Sequence, residues 1–455
     1  MTSFDLTRPE SWLQANARML DRAGSRAVMA LGLFAWLSTA GKSVAFATLL
    51  LVFLFDRAAW KICVRDPVFI LLTLFAGLLI ASSIHASLEF PESRTLQRKD
   101  ATAWLSLLAF WPVGWYLSGL PCRIHRLLLM ALAGLITGMI IHANLPDLIR
   151  FRLPADIAER TGFQLGFFFS GLVSGSALLG LTLFAPRIWT PGRFRPARIL
   201  LWFAAVDLMS YMLLASYSRA SWLALALTLL GLIPFGLRLK RAGWRKLGTG
   251  LLAALLLMAA GLQDSIRDRV LTRLTAEQET YQALLKGDFE HMPATSIGYR
   301  VAVERFGLQR WLERPWLGWG TGSTHHLITH SQDQHLRHPG QNPDSDERQW
   351  MSHFHNAYLE ILVRFGLTGF VLLAGAFGFL ISGLIRAYRC GTVPPDSFRF
   401  CLGCFFMVGI WSLFDFRLLH GDWRAYWLIL AGMAHSYTLT SLRNPSPGET
   451  TSCAA

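Results

Sequence analysis

The sequence predicts an all-α polytopic membrane protein, with about twelve transmembrane helices and one large helical loop domain on the outer face. Three observations carry that prediction. Hydrophobic residues fill 53% of 455 positions and charged residues only 16%, whereas soluble domains carry about a quarter charged. The apolar residues gather in runs of about twenty, the length that crosses about 30 Å of hydrocarbon at about 1.5 Å per residue. One long polar stretch, roughly 263–354, interrupts the series.

The runs begin near Ala27, Ser43, Val68, Ala101, Ile124, Phe163, Ile199, Ala220, Leu247, Asn356, Phe398 and Trp423. They divide the chain into a bundle of about nine helices over 1–262, a loop domain over 263–354, about three helices over 355–442 and a tail over 443–455. Met1 to Arg26 is polar, holds Arg8, Arg18, Arg22 and Arg26, and leads into an apolar run without a small-residue cleavage site. The first span is therefore expected to act as its own signal. The runs near Ala27 and Ser43 are separated only by Gly41 and Lys42, which fits either a broken hairpin or one kinked element.

The net charge of +14 invites a nucleic-acid reading, but the basic residues sit in short clusters between apolar runs. Arg193, Arg195 and Arg198, and then Arg238, Lys240, Arg241, Arg245 and Lys246, are examples. Clusters in such places orient inner-membrane proteins, and they attract anionic lipid. The expectation is membrane lipids and no nucleic acid. With the N-terminus inside, alternate loops carry the basic clusters, so both termini and the tail fall in the cytoplasm and 263–354 falls outside.

Within the loop domain, Ile266, Val270, Leu271 and Leu274 recur at helical spacing, and Val301, Val303 and Leu308 do so more weakly. Short helices over the membrane face are expected. Thr321 to Trp350, rich in Gly, Pro, Ser, Asn, Asp and His, reads as an irregular, mobile loop.

Several motifs have a functional and a bland reading. Gly41, Lys42 and Ser43 look like the end of a phosphate-binding loop, but Trp36 stands where its first glycine belongs and no strand precedes it, so nucleotide binding is rejected. None of the six cysteines lies in the loop domain, and Cys401 and Cys404, a CxxC inside an apolar run, read as small-residue packing. His325, His326, His330, His335 and His338 match no zinc spacing, and a solvated loop is the favoured reading. No metal and no cofactor are expected.

Arg219, at the outer end of an apolar run beside Tyr217 and Ser218, is either an interfacial anchor or a functional charge, since a charge so near hydrocarbon defaults to function. Arg300 follows Gly298 and Tyr299 and precedes Trp311, Pro315, Gly318, Gly320 and Gly322; alone it would be a surface charge. His355 and Asn356 open the tenth run, followed by Tyr358, Gly366 and Gly369. There the bland reading is a helix cap at the interface.

The spacing of His355, Asn356, Gly366 and Gly369 resembles the signature of bacterial O-antigen ligases, and Ser218, Arg219 and Gly298 to Gly322 are similar to other marks of the ligase and polymerase superfamily. The diagnostic residues lie between about Tyr217 and Gly369, and the multispan topology with a single large outer loop agrees with them. The resemblance implies transfer of O-antigen polysaccharide from undecaprenyl diphosphate to a sugar hydroxyl of lipid A-core, on the periplasmic side of the inner membrane. A histidine with a pKa near about 6.5 suits the general base, and the expected base is His355, with His353 its rival. Guanidinium groups meet phosphate oxygens bidentately, which assigns Arg219 and Arg300 to the diphosphate. Asn356 and Tyr358 either orient the acceptor or pack the helix. Attack opposite the leaving group would invert the anomeric centre without a metal. The alternatives are an O-antigen polymerase, a protein O-glycosyltransferase and, from another class, a polysaccharide or lipid transporter. The last would show paired half-repeats and charges deep in the spans, whereas Asp207 and Arg364 are the exceptions here. The glycine-rich turn and His-rich loop together would make a lid.

Overall fold

The computed structural model describes residues 9–142, 167–232, 275, 277–289, 292–293, 295–333, 336–339, 348–350 and 352–443. The run near Leu247, the helical pattern from Ile266 to Leu274 and His335 lie outside these described residues. α1 (Pro9–Phe34) and α2 (Thr39–Phe55) form a hairpin. Ser38 ends the ambiguity of this pair, because its hydroxyl accepts the Gly41 N–H at 3.2 Å and starts a second helix. α3 (Arg57–Cys63) leaves α2 at 82°, with the Asp56 carboxylate accepting from Ala58 and Ala59. α4 (Pro67–Glu89) begins on Asp66 with proline in its first turn.

The run near Ala101 divides into α5 (Arg94–Leu107) and α6 (Phe110–Leu117), followed by α7 (Pro121–His142), α8 (Phe167–Leu183), α9 (Arg195–Ala215) and α10 (Arg219–Gly231). The polar segment between α10 and α14 contributes α11 (Gln278–Lys286), α12 (Ser296–Glu313) and α13 (Ser323–Thr329). Between Thr321 and Trp350, where an irregular loop is expected, stand α13 and an antiparallel strand pair, β1 (Arg337–Pro339) and β2 (Arg348–Trp350), with Arg337 opposite Trp350. α14 (Ala357–Arg389), α15 (Pro395–Trp411) and α16 (Gly421–Arg443) complete the chain.

The all-helical expectation therefore holds apart from that small ribbon. Among the described residues, fewer helices than the twelve expected spans are long and apolar enough to cross a membrane. Eleven of the twelve runs coincide with helices, yet among the described residues only α4, α7, α9 and α14 are long and apolar enough to cross a membrane, or five spans if α2 and α3 count as one. Length explains much of the shortfall. α10 has 13 residues and α8 and α15 have 17 each, while α5 carries Arg94, Arg98, Lys99 and Asp100.

In the bundle, α14 lies along α4 and α16, α16 lies along α6, and α8 packs between α9 and α15. A second, separate core of Val303, Ile328, Leu336, Phe354, Leu359 and Val363 joins α12 and α13 to the first turns of α14. Each such side chain contributes about 1.5–3 kcal/mol when fully buried, which seats α12 and α13 on the bundle.

α14 is broken at Gly366, whose φ of +62° and ψ of −168° are non-helical. The break frees backbone groups that the loop after α12 takes up. The Trp319 and Gly320 N–H groups donate to Val363 and Arg364 carbonyls at 2.8 Å, and Leu367 N–H donates to the Pro315 carbonyl at 2.7 Å. A Cβ at Gly366 would fall 2.2 Å from the Trp316 backbone, and one at Gly318 2.5 Å from that of Arg364, so both positions require glycine. The glycine-rich turn is thus a fixed seam between α14 and the segment after α12. Arg314 adds a bidentate pair with Glu89 on α4 and stacks 3.8 Å from the Trp319 ring.

Candidate active site

His355 stands just before α14 with φ +55°, a left-handed conformation that costs a non-glycine residue of order 1 kcal/mol and persists where surrounding bonds enforce it. Those bonds are visible. The Asn356 carbonyl oxygen Oδ1 accepts from Tyr358 and Leu359 N–H at 3.1 and 3.2 Å, capping α14. Glu360 Oε1 reaches back to the Phe354 N–H at 2.9 Å, so the chain on both sides of His355 is held.

A second tie brings in the loop between α15 and α16. The Ala357 N–H donates to the Ser412 carbonyl at 2.8 Å and the Tyr358 hydroxyl to the Gly409 carbonyl at 2.9 Å. The loop thereby sets Asp415 Oδ1 3.9 Å from His355 Nδ1, an ion-pair distance longer than a hydrogen bond. Asn356 Oδ1 and the Tyr358 hydroxyl, the polar groups expected on the acceptor, are bonded to protein here, and both help to place the His355 loop.

His353 lies beside His355 with ring centroids 4.1 Å apart and the ring planes tilted by 58°. Its Nδ1 accepts the His355 N–H at 3.1 Å, so that nitrogen is unprotonated and the ring proton sits on Nε2. Burial holds its pKa below the ordinary histidine value, with Arg364 and Arg300 acting in the same direction against Asp415 and Glu360.

Arg219 is the first residue of α10, behind the Ser218 cap and Tyr217 at φ +48°. Its side chain is 43% exposed, and its guanidinium lies 3.7 Å from buried Glu277. Glu277 also accepts the Ile297 N–H at 3.3 Å, so one carboxylate links α12 to α10 beside Arg219. Arg300, on the first turns of α12, has its pKa lowered by burial; Asp415, Glu304 and Glu277 oppose that shift and Arg219 adds to it. Those couplings place both guanidiniums and the His355 partner in one electrostatic neighbourhood. Glu304, one turn beyond Arg300, is pushed up to about 7 by burial.

Beneath the site lies an ionic knot. Arg364, 4% exposed, donates from Nε to Glu360 Oε2 at 2.8 Å and from Nη1 to Asp100 on α5. Thr324 on α13 donates to the same Glu360 oxygen at 2.8 Å. Arg364, an exception among the charges within spans, is thereby neutralised.

His353, His355 and Asp415 each offer a ligand atom within 4.8 Å of the others, compact enough for a cation. In the His-rich stretch, His326 faces Glu92 at 3.0 Å and stacks on His330 at 3.9 Å, apart from the three-residue cluster. Sequence reasoning brought His355, Arg219 and Arg300 forward and missed Asp415, Glu277 and Glu304. Asp415 had one signal, a lone acid between the apolar runs of α15 and α16.

These features define an integral membrane protein in which the polar segment between α10 and α14, the bundle and the last interhelical loop bring a histidine, a carboxylate and two arginines together. Residues 204–374 match the family model described as O-antigen ligase, the family that the motifs resemble. That stretch contains Arg219, Arg300, His355, Gly366 and Gly369 and ends before Asp415. No curated protein matches the chain. The family match supports an activity of ligase or polymerase type on O-antigen, and hence a place in lipopolysaccharide biosynthesis.

Proposed function

We propose that the protein is an O-antigen ligase, transferring the polysaccharide from undecaprenyl diphosphate to a sugar hydroxyl of lipid A-core at the periplasmic face of the inner membrane. The observation that carries this reading is the convergence of His355 and Asp415 with Arg219 and Arg300 from four separate segments.

The chemistry follows from those groups. With Asp415 facing Nδ1, the His355 ring is set to keep its proton there and to accept another at Nε2. The acceptor hydroxyl gives that proton to His355 as its oxygen bonds to the anomeric carbon of the donor sugar. The bond from that carbon to the diphosphate breaks, and undecaprenyl diphosphate leaves with the electron pair. Arg219 and Arg300 meet the growing negative charge, an arrangement worth about 10²–10³ in rate per donor group at comparable oxyanion sites. Attack opposite the leaving group inverts the anomeric centre. His353, with Nδ1 engaged, supports the His355 backbone, and Asn356 and Tyr358 fix the loop that carries it.

Metal independence belongs to this proposal, because two cations already face the diphosphate. Loss of transfer on chelation, restored by a divalent ion at the His353, His355 and Asp415 cluster, would overturn it. The decisive assay supplies undecaprenyl diphosphate glycan and lipid A-core to the full-length protein in detergent. Ligated lipid A-core is the expected product. Lengthened glycan on the lipid carrier, with lipid A-core unmodified, would establish the polymerase reading that the family also accommodates.

A further inference from the structure

At the end of the bundle away from His355 lies a cavity of about 480 Å³, within the usual 300–1,000 Å³ of ligand pockets. α7 and α9 form its two sides, with α8, α15 and α16 behind them. Leu129 on α7 and Leu201 on α9 line it while remaining 62% and 69% exposed, so it opens sideways between these helices toward the surroundings of the bundle. Its walls are almost wholly apolar side chains, Leu132, Leu135 and Ala177 among them. Its mouth is cationic, for Arg187 and Arg198 also line it.

The position of that mouth is fixed by α9. Arg198 lies in the first turn of this 21-residue helix, and the last turn abuts Ser216 and Ser218 beside Arg219. At about 1.5 Å per residue the two ends are about 30 Å apart. An anion held at Arg198 therefore cannot be the one held at Arg219. The same end of the bundle gathers more positive charge: Arg22, Arg26, Arg123 and Arg126 line a second cleft of about 350 Å³. Asp21 offsets Arg123 at 2.6 Å, and Asp396 offsets Arg187. Arg198 instead donates to the Thr190 carbonyl and hydroxyl at 2.8 and 3.3 Å, so its charge meets no carboxylate in those bonds.

We propose that this cavity binds one anionic phospholipid of the adjoining leaflet, its phosphate at Arg187 and Arg198 and an acyl chain along the apolar walls. An apolar slot that opens sideways suits a hydrocarbon chain, and basic pockets between membrane helices suit a lipid phosphate. Guanidinium groups hold phosphate oxygens through paired hydrogen bonds. In the proposed topology this is the cytoplasmic leaflet. The binding test below does not depend on ligase activity, so its failure and the failure of the ligase reading are distinguishable.

The experiment titrates the full-length protein, stripped of lipid in detergent, with phosphatidylglycerol or phosphatidylcholine, counting retained lipid by native mass spectrometry and following the melting midpoint. Phosphatidylglycerol should bind preferentially and raise the midpoint further. Arg198→Ala should weaken that preference about fivefold, the contribution of one arginine near an anionic lipid surface. Ala177→Phe, which fills the cavity, should remove one retained lipid. Asp396→Asn, which frees Arg187 without entering the apolar walls, should strengthen phosphatidylglycerol binding and provides the test if Ala177→Phe does not fold. Equal binding of the two lipids, unchanged selectivity in both Arg198→Ala and Asp396→Asn, or displacement of phosphatidylglycerol from the cavity by equimolar undecaprenyl phosphate would each overturn the assignment.

Discussion

Arg364 and Arg219 carry the same charge, and their surroundings differ in burial and in pairing. Arg364 is 4% exposed and bonded to two carboxylates, Glu360 and Asp100. Arg219 has a side chain 43% exposed and faces Glu277 across 3.7 Å. The first is a fastener, joining α5 to α14 and, through Glu360, to Thr324 and the backbone before His355. The second keeps guanidinium N–H groups available to a ligand anion. A buried pair stabilises only while complete, whereas a half-exposed arginine beside one acid contributes about 0–1 kcal/mol to folding. In the proposed mechanism the contrast separates a residue that builds the site from one that acts in it, and substitutions can break it.

The largest effect should come from His355→Ala, with transfer falling about 10²–10⁴-fold as general-base catalysis is lost while the melting midpoint stays near wild type. Arg219→Ala and Arg300→Ala should each reduce transfer about 10²–10³-fold. Arg219→Lys should recover little, since a bidentate fork becomes a point charge. Ligated product at matched expression is the readout. Full transfer by His355→Ala would remove His355 as base and move attention to His353.

Arg364→Ala should act the other way. Removing it strands Glu360 and Asp100 in the interior, and breaking a buried pair in this manner costs about 3–5 kcal/mol. The signature is lost folded protein and a lower melting midpoint, with transfer per folded molecule reduced less than by His355→Ala. A stable Arg364→Ala protein with abolished transfer would reverse the comparison, making Arg364 a participant. Asp415→Asn comes next, with the fold retained and transfer reduced about 10–100-fold, as for residues that orient a functional histidine through its second nitrogen. Its diagnostic is a changed pH profile, which a packing defect alone would not produce.

How much of this was legible in the sequence depends on what holds each residue. Apolar runs announce helices, and all eleven that fall among the described residues coincide with them, because burial in a bundle needs only composition and length. The count of spans was less legible, since α8, α10 and α15 are short and a run does not say how it is cut. His355 and Asn356 could be read because they sit at a helix start with a fixed spacing to Gly366, and the break at Gly366 explains why that spacing matters. Asp415 lies sixty residues after His355 and outside the matched stretch. Its role comes from tertiary ties, Ser412 to Ala357 and Gly409 to Tyr358, that no local pattern encodes. Glu277 is equally remote from Arg219. The strand pair at Arg337 and Trp350 was hidden for another reason: four of its six residues, Arg337, His338, Arg348 and Gln349, are polar, and two three-residue strands leave no alternating pattern.

The smallest effect expected belongs to Glu304, and it tests the comparison at its most delicate point. Burial raises this carboxyl to about 7 from an ordinary 4.5, while Arg300 pulls it down. Because the folded value is the higher, the protonated form favours folding. The contribution is complete below about pH 4.5 and is lost as the pH rises through about 7. Glu304→Gln should remove that part of the pH dependence, giving a melting midpoint that changes less between pH 5 and pH 8 (about those limits) than wild type does. A second consequence concerns the site. Above about pH 7, ionised Glu304 places an anion one turn from Arg300 and opposes the incoming diphosphate. The apparent donor KM should then rise with pH in wild type and stay flatter in Glu304→Gln, with kcat moved less. If both proteins show the same KM profile, Glu304 does not face the ligand side of Arg300, and the available charge at the site rests with Arg219.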